Sequence, residues 1–271
     1  MLCYPTRPPV LRHIKRSEMA DLHHKLRNPQ LDGSAFFWPK GDVAVLCLHG
    51  FTATTAEVRK MAAFLSEQGY SVKAPLLPGH GSSAEEMNKT QWQDWYSEAE
   101  KSYLELADRY QNVFVLGESM GGLLTLHLAR QHPRISGILL FAPAIQVRNL
   151  WLSRMLWPFV PAIKKKPPDN DLPQQSYTEF PLRAAASLFA LQKIVRKELT
   201  QIRTPVRIFQ GKHDDTIDPL GAVLVYEKIA SLDKELVILT ESCHLILLDK
   251  QMPQVQLMTH EFIQDVLKRN P

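Results

Sequence analysis

Ser119 is the residue around which chemistry can be organised. It stands in Gly117-Glu-Ser-Met-Gly121, a G-x-S-x-G pattern, with an apolar run ending at Leu116 before it and a helical pattern opening at Met120 after it. A sharp strand-to-helix turn of this kind forces the serine into strained backbone angles and lifts its hydroxyl above a sheet. Side chains two residues to either side would collide with neighbouring chain, which accounts for Gly117 and Gly121. Gly122 extends the close approach of helix to sheet. The helix N-terminus beneath also favours developing negative charge.

A serine hydroxyl is a weak nucleophile and needs a base within hydrogen-bond reach. After a nucleophile of this type the chain order is Ser, then Asp or Glu, then His. Ten histidines compete. His13, His23 and His24 precede the first long apolar run, and His127 and His132 belong to the helix after the serine. His213 and His260 fall in a loop and in the last helix. His244, in Glu241-Ser-Cys-His244, follows the last apolar run and precedes the terminal helix, so its imidazole comes to lie over the strand ends beside the serine. The acid belongs after the preceding strand, in Gln210-Gly-Lys-His-Asp214-Asp215-Thr-Ile-Asp218-Pro. Spacing favours Asp214, with Asp215 as the alternative. A carboxylate there accepts the imidazole N–H, fixes the tautomer and stabilises the imidazolium. Asp218 stands before Pro219 and reads as a helix N-cap.

The tetrahedral intermediate of such an attack carries an oxyanion that needs fixed donors. One is expected at the backbone N–H of Met120. The other is expected in His49-Gly50-Phe51, where Gly50 permits close backbone approach and Phe51 supplies the N–H. His49 reads as a brace for that loop, and His80, in Pro78-Gly-His-Gly81, as structural. Met120, Trp151 and Trp157 are candidates for an apolar acyl pocket. Phosphate loop, Cys/His metal cluster and dinucleotide fingerprint are missing from the sequence, so no cofactor and no metal is expected.

The elements that must hold these residues read as alternating strands and helices. Val43–Leu48, Val113–Leu116, Ile138–Phe141, Val206–Phe209 and Leu236–Leu239 are short apolar runs suited to strands buried on both faces of a parallel sheet. A further strand is expected over Tyr70–Ala74. Helical patterns cover Thr54–Gln68, ending at Gly69, and Met120–Gln131, stopping before Pro133. The spacing Thr90-Gln-Trp-Gln93 predicts a capping box opening a helix that runs to about Tyr110. Two more helices are expected over Leu220–Leu232 and Pro253–Lys268. Strict alternation predicts an α/β fold with a doubly wound, mostly parallel sheet. Residues 144–204 break the alternation, lack a strand run and are rich in large apolar side chains. They read as a helical cap or lid inserted in a core of residues 28–143 and 205–271, behind a basic extension, residues 1–27.

Composition limits the remaining options. With 271 residues, 45% hydrophobic and 22% charged, the chain is an ordinary globular one. The net charge of +4 draws on the extension and on Lys164-Lys165-Lys166, read as solvated faces; neither is interleaved with aromatics, and nucleic-acid binding is not expected. Cys3, Cys47 and Cys243 do not make a disulfide framework, and Cys47 lies in an apolar run. With no signal-peptide h-region and no apolar stretch of about 18 residues, neither export nor stable membrane insertion is expected, and the location expected is cytoplasmic.

Several segments together resemble the bacterial carboxylesterase and monoacylglycerol lipase group of the α/β hydrolases. They are Leu48-His-Gly-Phe-Thr52, Gly69-Tyr70, Pro75-Leu-Leu-Pro-Gly-His-Gly81, Trp92-Gln-Asp-Trp95, Gly117-Glu-Ser-Met-Gly-Gly122, His213-Asp214, Ile217-Asp-Pro219 and Ser242-Cys-His244. The resemblance runs from about Asn28 to Lys268 and departs at Cys243, where the family carries a smaller residue. It implies an α/β-hydrolase fold, Ser119, Asp214 and His244 as a triad, Phe51 and Met120 as the oxyanion hole, and a helical cap over the site. The implied substrates are small esters or monoacylglycerols with short to medium acyl chains. A peptidase, a thioesterase or a C–C bond hydrolase is the alternative on the same fold, because fold does not fix substrate.

Overall fold

The structure is a computed structural model that describes residues 25–166 and 172–269. Seven strands form the central sheet: β1 (Phe36–Trp38), β2 (Val43–Leu48), β3 (Ser71–Ala74), β4 (Asn112–Glu118), β5 (Gly137–Phe141), β6 (Val206–Gly211) and β7 (Lys234–Leu239). Their spatial order is β7-β6-β5-β4-β2-β3-β1. All pairings are parallel except β1 with β3.

Four of the apolar runs become strands buried on both faces and alternate between two cores, whereas Leu236–Leu239, expected to be buried likewise, lies in the edge strand β7, where Leu236 and Val237 are half-buried and Ile238 is exposed. Ala44, Leu46, Leu48, Val115, Leu140 and Ile208 face one core, and Val45, Cys47, Phe114, Leu139, Phe141 and Phe209 face the other. Each face is closed by helices, as parallel sheets require. Helices α2 (Trp92–Ala107), α3 (Met120–Gln131), α4 (Leu182–Glu198) and α5 (Leu220–Lys228) pack on the first. Helices α1 (Arg59–Glu67) and α6 (Met252–Arg269) pack on the second.

Strand order reverses between β2 and β4, since β3 and β1 lie to one side and β5, β6 and β7 to the other. Loops leaving the carboxyl ends of two such strands part company and leave a crevice between them. The segment His49-Gly50-Phe51 leaves β2 there and Ser119 leaves β4, and Leu48 pairs with Gly117 in register.

Three details differ from the sequence reading. The edge strand β1 was not foreseen. The capping box of α2 uses Gln91 and Asp94 in place of Thr90 and Gln93, because the Thr90 hydroxyl donates to Met87 O and accepts from Trp95 Nε1. The insertion also carries short antiparallel ribbons. Ala162–Lys164 pairs with Glu179–Pro181. Ser176–Tyr177 pairs with Leu26–Arg27, so the last residues assigned to the basic extension pack on the insertion. Residues 1–24 of that extension lie outside the described residues. No helix among the described residues is long and apolar enough to cross a membrane.

Candidate active site

The turn from β4 into α3 holds Ser119 at φ 55° and ψ −113°. A left-handed conformation at a non-glycine residue costs about 1–3 kcal/mol and persists only where surroundings enforce it. Here the Ser119 N–H donates to Phe141 O, while Ser119 O accepts from Gly122 N–H and Ala144 N–H. A Cβ on Gly117 would stand 2.2 Å from Gly121 O, and one on Gly121 would stand 2.1 Å from Leu48 O. Both glycines are therefore steric requirements of the turn.

His244 Nε2 accepts from the Ser119 hydroxyl at 3.1 Å, and its Nδ1–H donates to Asp214 Oδ2 at 2.9 Å. Asp214 also accepts from Gln210 Nε2 at 3.0 Å, from Thr216 N–H at 2.9 Å and from Ile217 N–H at 2.8 Å. Four donors thus fix both carboxylate oxygens. Burial works to raise the Asp214 pKa, but His244 and these donors outweigh it and hold the carboxyl below its usual range. Burial likewise works to lower the His244 pKa, and the charges of Asp214, Glu57 and Asp215 overcome it, leaving the imidazole above its ordinary value. Asp215 is exposed and bonds the Thr216 hydroxyl, so Asp214 is the carboxylate that meets the histidine. Asp218 accepts from Leu220 N–H at 3.0 Å and so caps the start of α5.

The loop after β2 lies against the serine. A Cβ on Gly50 would come 3.4 Å from Ser119 Cβ. His49 braces this loop: Nδ1–H donates to Gly50 O at 3.0 Å, and Nε2 accepts from Leu77 N–H at 3.1 Å. Burial pushes the His49 pKa down to about 4, so the ring stays neutral and can accept. The Phe51 ring meets Trp95 and Phe180 edge-on at 5.9 and 5.3 Å, giving an aromatic wall beside the loop. Met120 is buried at the head of α3. Trp151 and Trp157 are 51% and 41% exposed, with Arg183 above the Trp157 ring at 5.8 Å. Both rings stand on an exposed face of the insertion. A cleft of about 830 Å³ opens at the opposite, amino ends of the strands, lined by Gln111, Arg134, Ser136 and Arg203.

Three charged residues at the site were not foreseen. Glu57 is buried and accepts from Gly50 N–H at 2.6 Å and from Gln174 Nε2 at 3.2 Å. Glu118 is buried between Gly117 and Ser119, and one of its oxygens accepts from Leu247 N–H at 3.1 Å. Burial first, then the charge of Glu57, raises the Glu118 pKa well above the carboxylate range. Lys165, expected on a solvated face, turns inward to donate to the Thr52 hydroxyl. Burial, with the charge of Arg27, pushes its pKa down to about 7 against the pull of Glu57. Among the described residues no group of His, Cys, Asp and Glu is arranged to hold a metal ion.

A parallel sheet with a reversal point, a strained serine at the strand-to-helix turn and a histidine–carboxylate pair beside it define an α/β hydrolase. Residues 39–251 match the serine aminopeptidase, S33, family, and the chain belongs to it. A thermostable monoacylglycerol lipase of Bacillus sp. (strain H-257) is 33% identical over 239 residues, covering 86% of this chain and 96% of that protein. A carboxylesterase of Bacillus subtilis (strain 168) is 31% identical, covering 84% of this chain and 95% of that one. A solved structure of a metagenome-derived lipolytic enzyme superposes with a TM-score of 0.83 at 27% identity, covering 87% of this chain and 99% of that one.

Proposed function

We propose that this protein hydrolyses carboxylic esters, small esters or monoacylglycerols of short to medium acyl length, by a two-step acyl transfer. Ser119 Oγ attacks the ester carbonyl carbon while its proton passes to His244 Nε2. The N–H groups of Phe51 and Met120 hold the oxyanion. The carbon–oxygen bond to the alcohol breaks as His244 returns the proton to the leaving oxygen. Water then attacks the acyl-serine, again giving its proton to His244, and the acid leaves as Ser119 regains its hydrogen. Asp214 keeps the imidazole in the tautomer that can accept. The insertion, residues 144–204, serves as the cap over this site, with Phe51 and Phe180 beside the acyl group and Trp95 buried behind Phe51.

The observation that carries the reading is the continuous relay from Asp214 through His244 to Ser119, at 2.9 and 3.1 Å, on a strained turn. The two Bacillus relatives, a lipase and a carboxylesterase, support esters over amides. The free thiols Cys47 and Cys243 suit a reducing, cytoplasmic setting.

Ser119→Ala is expected to remove ester turnover by about 10⁴-fold or more while leaving the fold intact, because only the oxyanion donors and binding remain. Far-ultraviolet circular dichroism checks the fold. Hydrolysis of p-nitrophenyl butyrate near the parent rate would refute the assignment. A panel of esters, aminoacyl amides and thioesters tests the substrate class, and faster cleavage of aminoacyl amides would favour a peptidase.

A further inference from the structure

Glu57 is a buried carboxylate that the acyl-transfer steps do not use. It closes the turn Thr55–Glu57, just after the loop that carries Phe51. Its Oε2 accepts from Gly50 N–H at 2.6 Å. On the other side of Gly50, the carbonyl accepts from His49 Nδ1–H at 3.0 Å. That carbonyl shares one rigid peptide plane with the Phe51 N–H, so fixing one aims the other. Glycine has the widest backbone freedom of any residue, and a donor carried just after it needs external constraint. Here both peptides flanking Gly50 are tied, one to Glu57 and one to His49.

The same loop is bound to the insertion. Gln174 Nε2 donates to Glu57 Oε1 at 3.2 Å, and the Thr54 hydroxyl donates to Gln175 Oε1 at 2.8 Å. Tyr177 N–H donates to Thr52 O at 3.1 Å, and Lys165 donates to the Thr52 hydroxyl. Glu57 is thus the side chain that touches both the Gly50 peptide and the insertion.

We infer that Glu57 is a positioning residue for the oxyanion hole: its carboxylate sets the Gly50 peptide, hence the aim of the Phe51 N–H, and links that aim to seating of the insertion through Gln174. The inference rests on the ester-hydrolase reading. A donor misaimed at the oxyanion costs much of its contribution, and losing one donor outright typically costs about 10²–10³ in rate.

The test is steady-state kinetics on a soluble ester with Glu57→Gln, Glu57→Asp and Gln174→Ala beside the parent and Ser119→Ala. Glutamine keeps the shape, removes the charge and turns one oxygen into a donor that faces either Gly50 N–H or the Gln174 amide. Glu57→Gln is expected to lower kcat roughly 10- to 100-fold with KM within about twofold, since the effect falls on the transition state. Glu57→Asp should recover part of that loss, and Gln174→Ala should lower kcat a few-fold. A phosphonate ester, which places an oxygen in the same hole, should inactivate Glu57→Gln more slowly in step with kcat/KM.

A second readout separates positioning from mere stability. The charged groups facing His244 are Asp214, Glu57 and Asp215, and those facing Glu57 are His244, Lys165 and Glu118. Removing the Glu57 charge should move the acid limb of the kcat/KM profile to lower pH. The inference is overturned if Glu57→Gln keeps the parent's kcat, or if its loss of rate follows loss of folded protein with an unmoved acid limb. Should Glu57→Gln fail to fold, Gln174→Ala decides, and parent kcat in that variant overturns the inference. A parent that turns over no ester removes the functional reading and this inference with it. An active parent, a dead Ser119→Ala and an unimpaired Glu57→Gln remove the inference alone.

Discussion

At the scale of single residues, geometry separates two adjacent aspartates that spacing left as alternatives. Asp214 receives four donors, His244 among them, whereas Asp215 faces solvent. Asp214→Asn is expected to lower kcat by about 10⁴, because an amide stabilises the wrong imidazole tautomer. Asp215→Asn should stay within a few-fold of the parent, its charge being a minor influence on His244. Parallel kinetics on one ester compare them, and a larger loss at Asp215 would reverse the assignment. The pH dependence has a definite sign. His244 must be neutral to accept the serine proton, and its pKa lies above the usual imidazole value of 6.5. Activity should therefore fall as pH drops through a midpoint higher than 6.5, read from the acid limb of kcat/KM, which reports the free enzyme. A limb centred below that value would mean that Asp214 does not raise the base. The residues of the Asp214–His244–Ser119 relay were legible because each follows a strand of the sheet at a fixed topological place. Glu57, Glu118 and Lys165 were not, because a charged side chain in sequence, alone or in a run such as Lys164-Lys165-Lys166, reads as surface. Glu118 did leave one signal: it extends a run, Val113–Leu116, already read as buried on both faces. A carboxylate there needs a partner, and it finds one in the Leu247 N–H after His244.

At the scale of elements, the strand-to-helix turn is where packing and chemistry meet. Gly121→Ala would force a Cβ to 2.1 Å from the Leu48 carbonyl, a backbone atom that cannot swing away. The expected cost is at least about 3 kcal/mol in urea unfolding, with ester turnover lost as the turn shifts Ser119. Gly69 makes the contrast: its φ is +93°, and a Cβ added there would meet nothing within 4 Å. Gly69→Ala should cost only about 1–2 kcal/mol from backbone strain and leave kcat unchanged. Equal costs for the two would mean that the turn tolerates what its contacts forbid. Four of the five apolar runs were legible as strands for the same reason that they are buried, since β-branched and aromatic residues fill both faces, and the fifth, in edge strand β7, shares their composition without their burial. The edge strand β1 was hidden because it has three residues, all half-buried, too few to show alternation. The two- and three-residue ribbons of the insertion were hidden for the same reason, as they are held by tertiary contact with little local preference of their own. The capping box slipped by one residue because the Thr90 hydroxyl had stronger local partners, which the spacing alone does not reveal.

For the whole molecule, what matters is that the insertion packs Leu150, Tyr177 and the buried face of α4 into the first core and still turns a run of large apolar side chains to solvent. Its inner side bonds the loop of residues 50–57 through Lys165, Gln174, Gln175 and Tyr177. Its outer side exposes Trp151, Met155, Leu156, Trp157, Phe159, Val160 and Ile163, with Phe159 at 84%. Arg154, Lys164, Lys166 and Arg183 are exposed in or beside the same segment. A run of large apolar side chains bordered by cations is suited to lie against an interface of acyl chains and headgroups, with no helix crossing it. Burying one phenylalanine side chain is worth about 1.5–3 kcal/mol, enough for at least a tenfold change in partition. Phe159→Asp is therefore expected to lower turnover of a micellar monoacylglycerol roughly tenfold while leaving soluble p-nitrophenyl butyrate within twofold of the parent. The split between substrates is the decisive quantity. An equal loss on both would place Phe159 in the machinery of the site, and no loss on either would leave the apolar face without a part in substrate capture. Binding to phosphatidylcholine vesicles, followed by co-sedimentation, should fall in step with the micellar rate, because both depend on the same buried area.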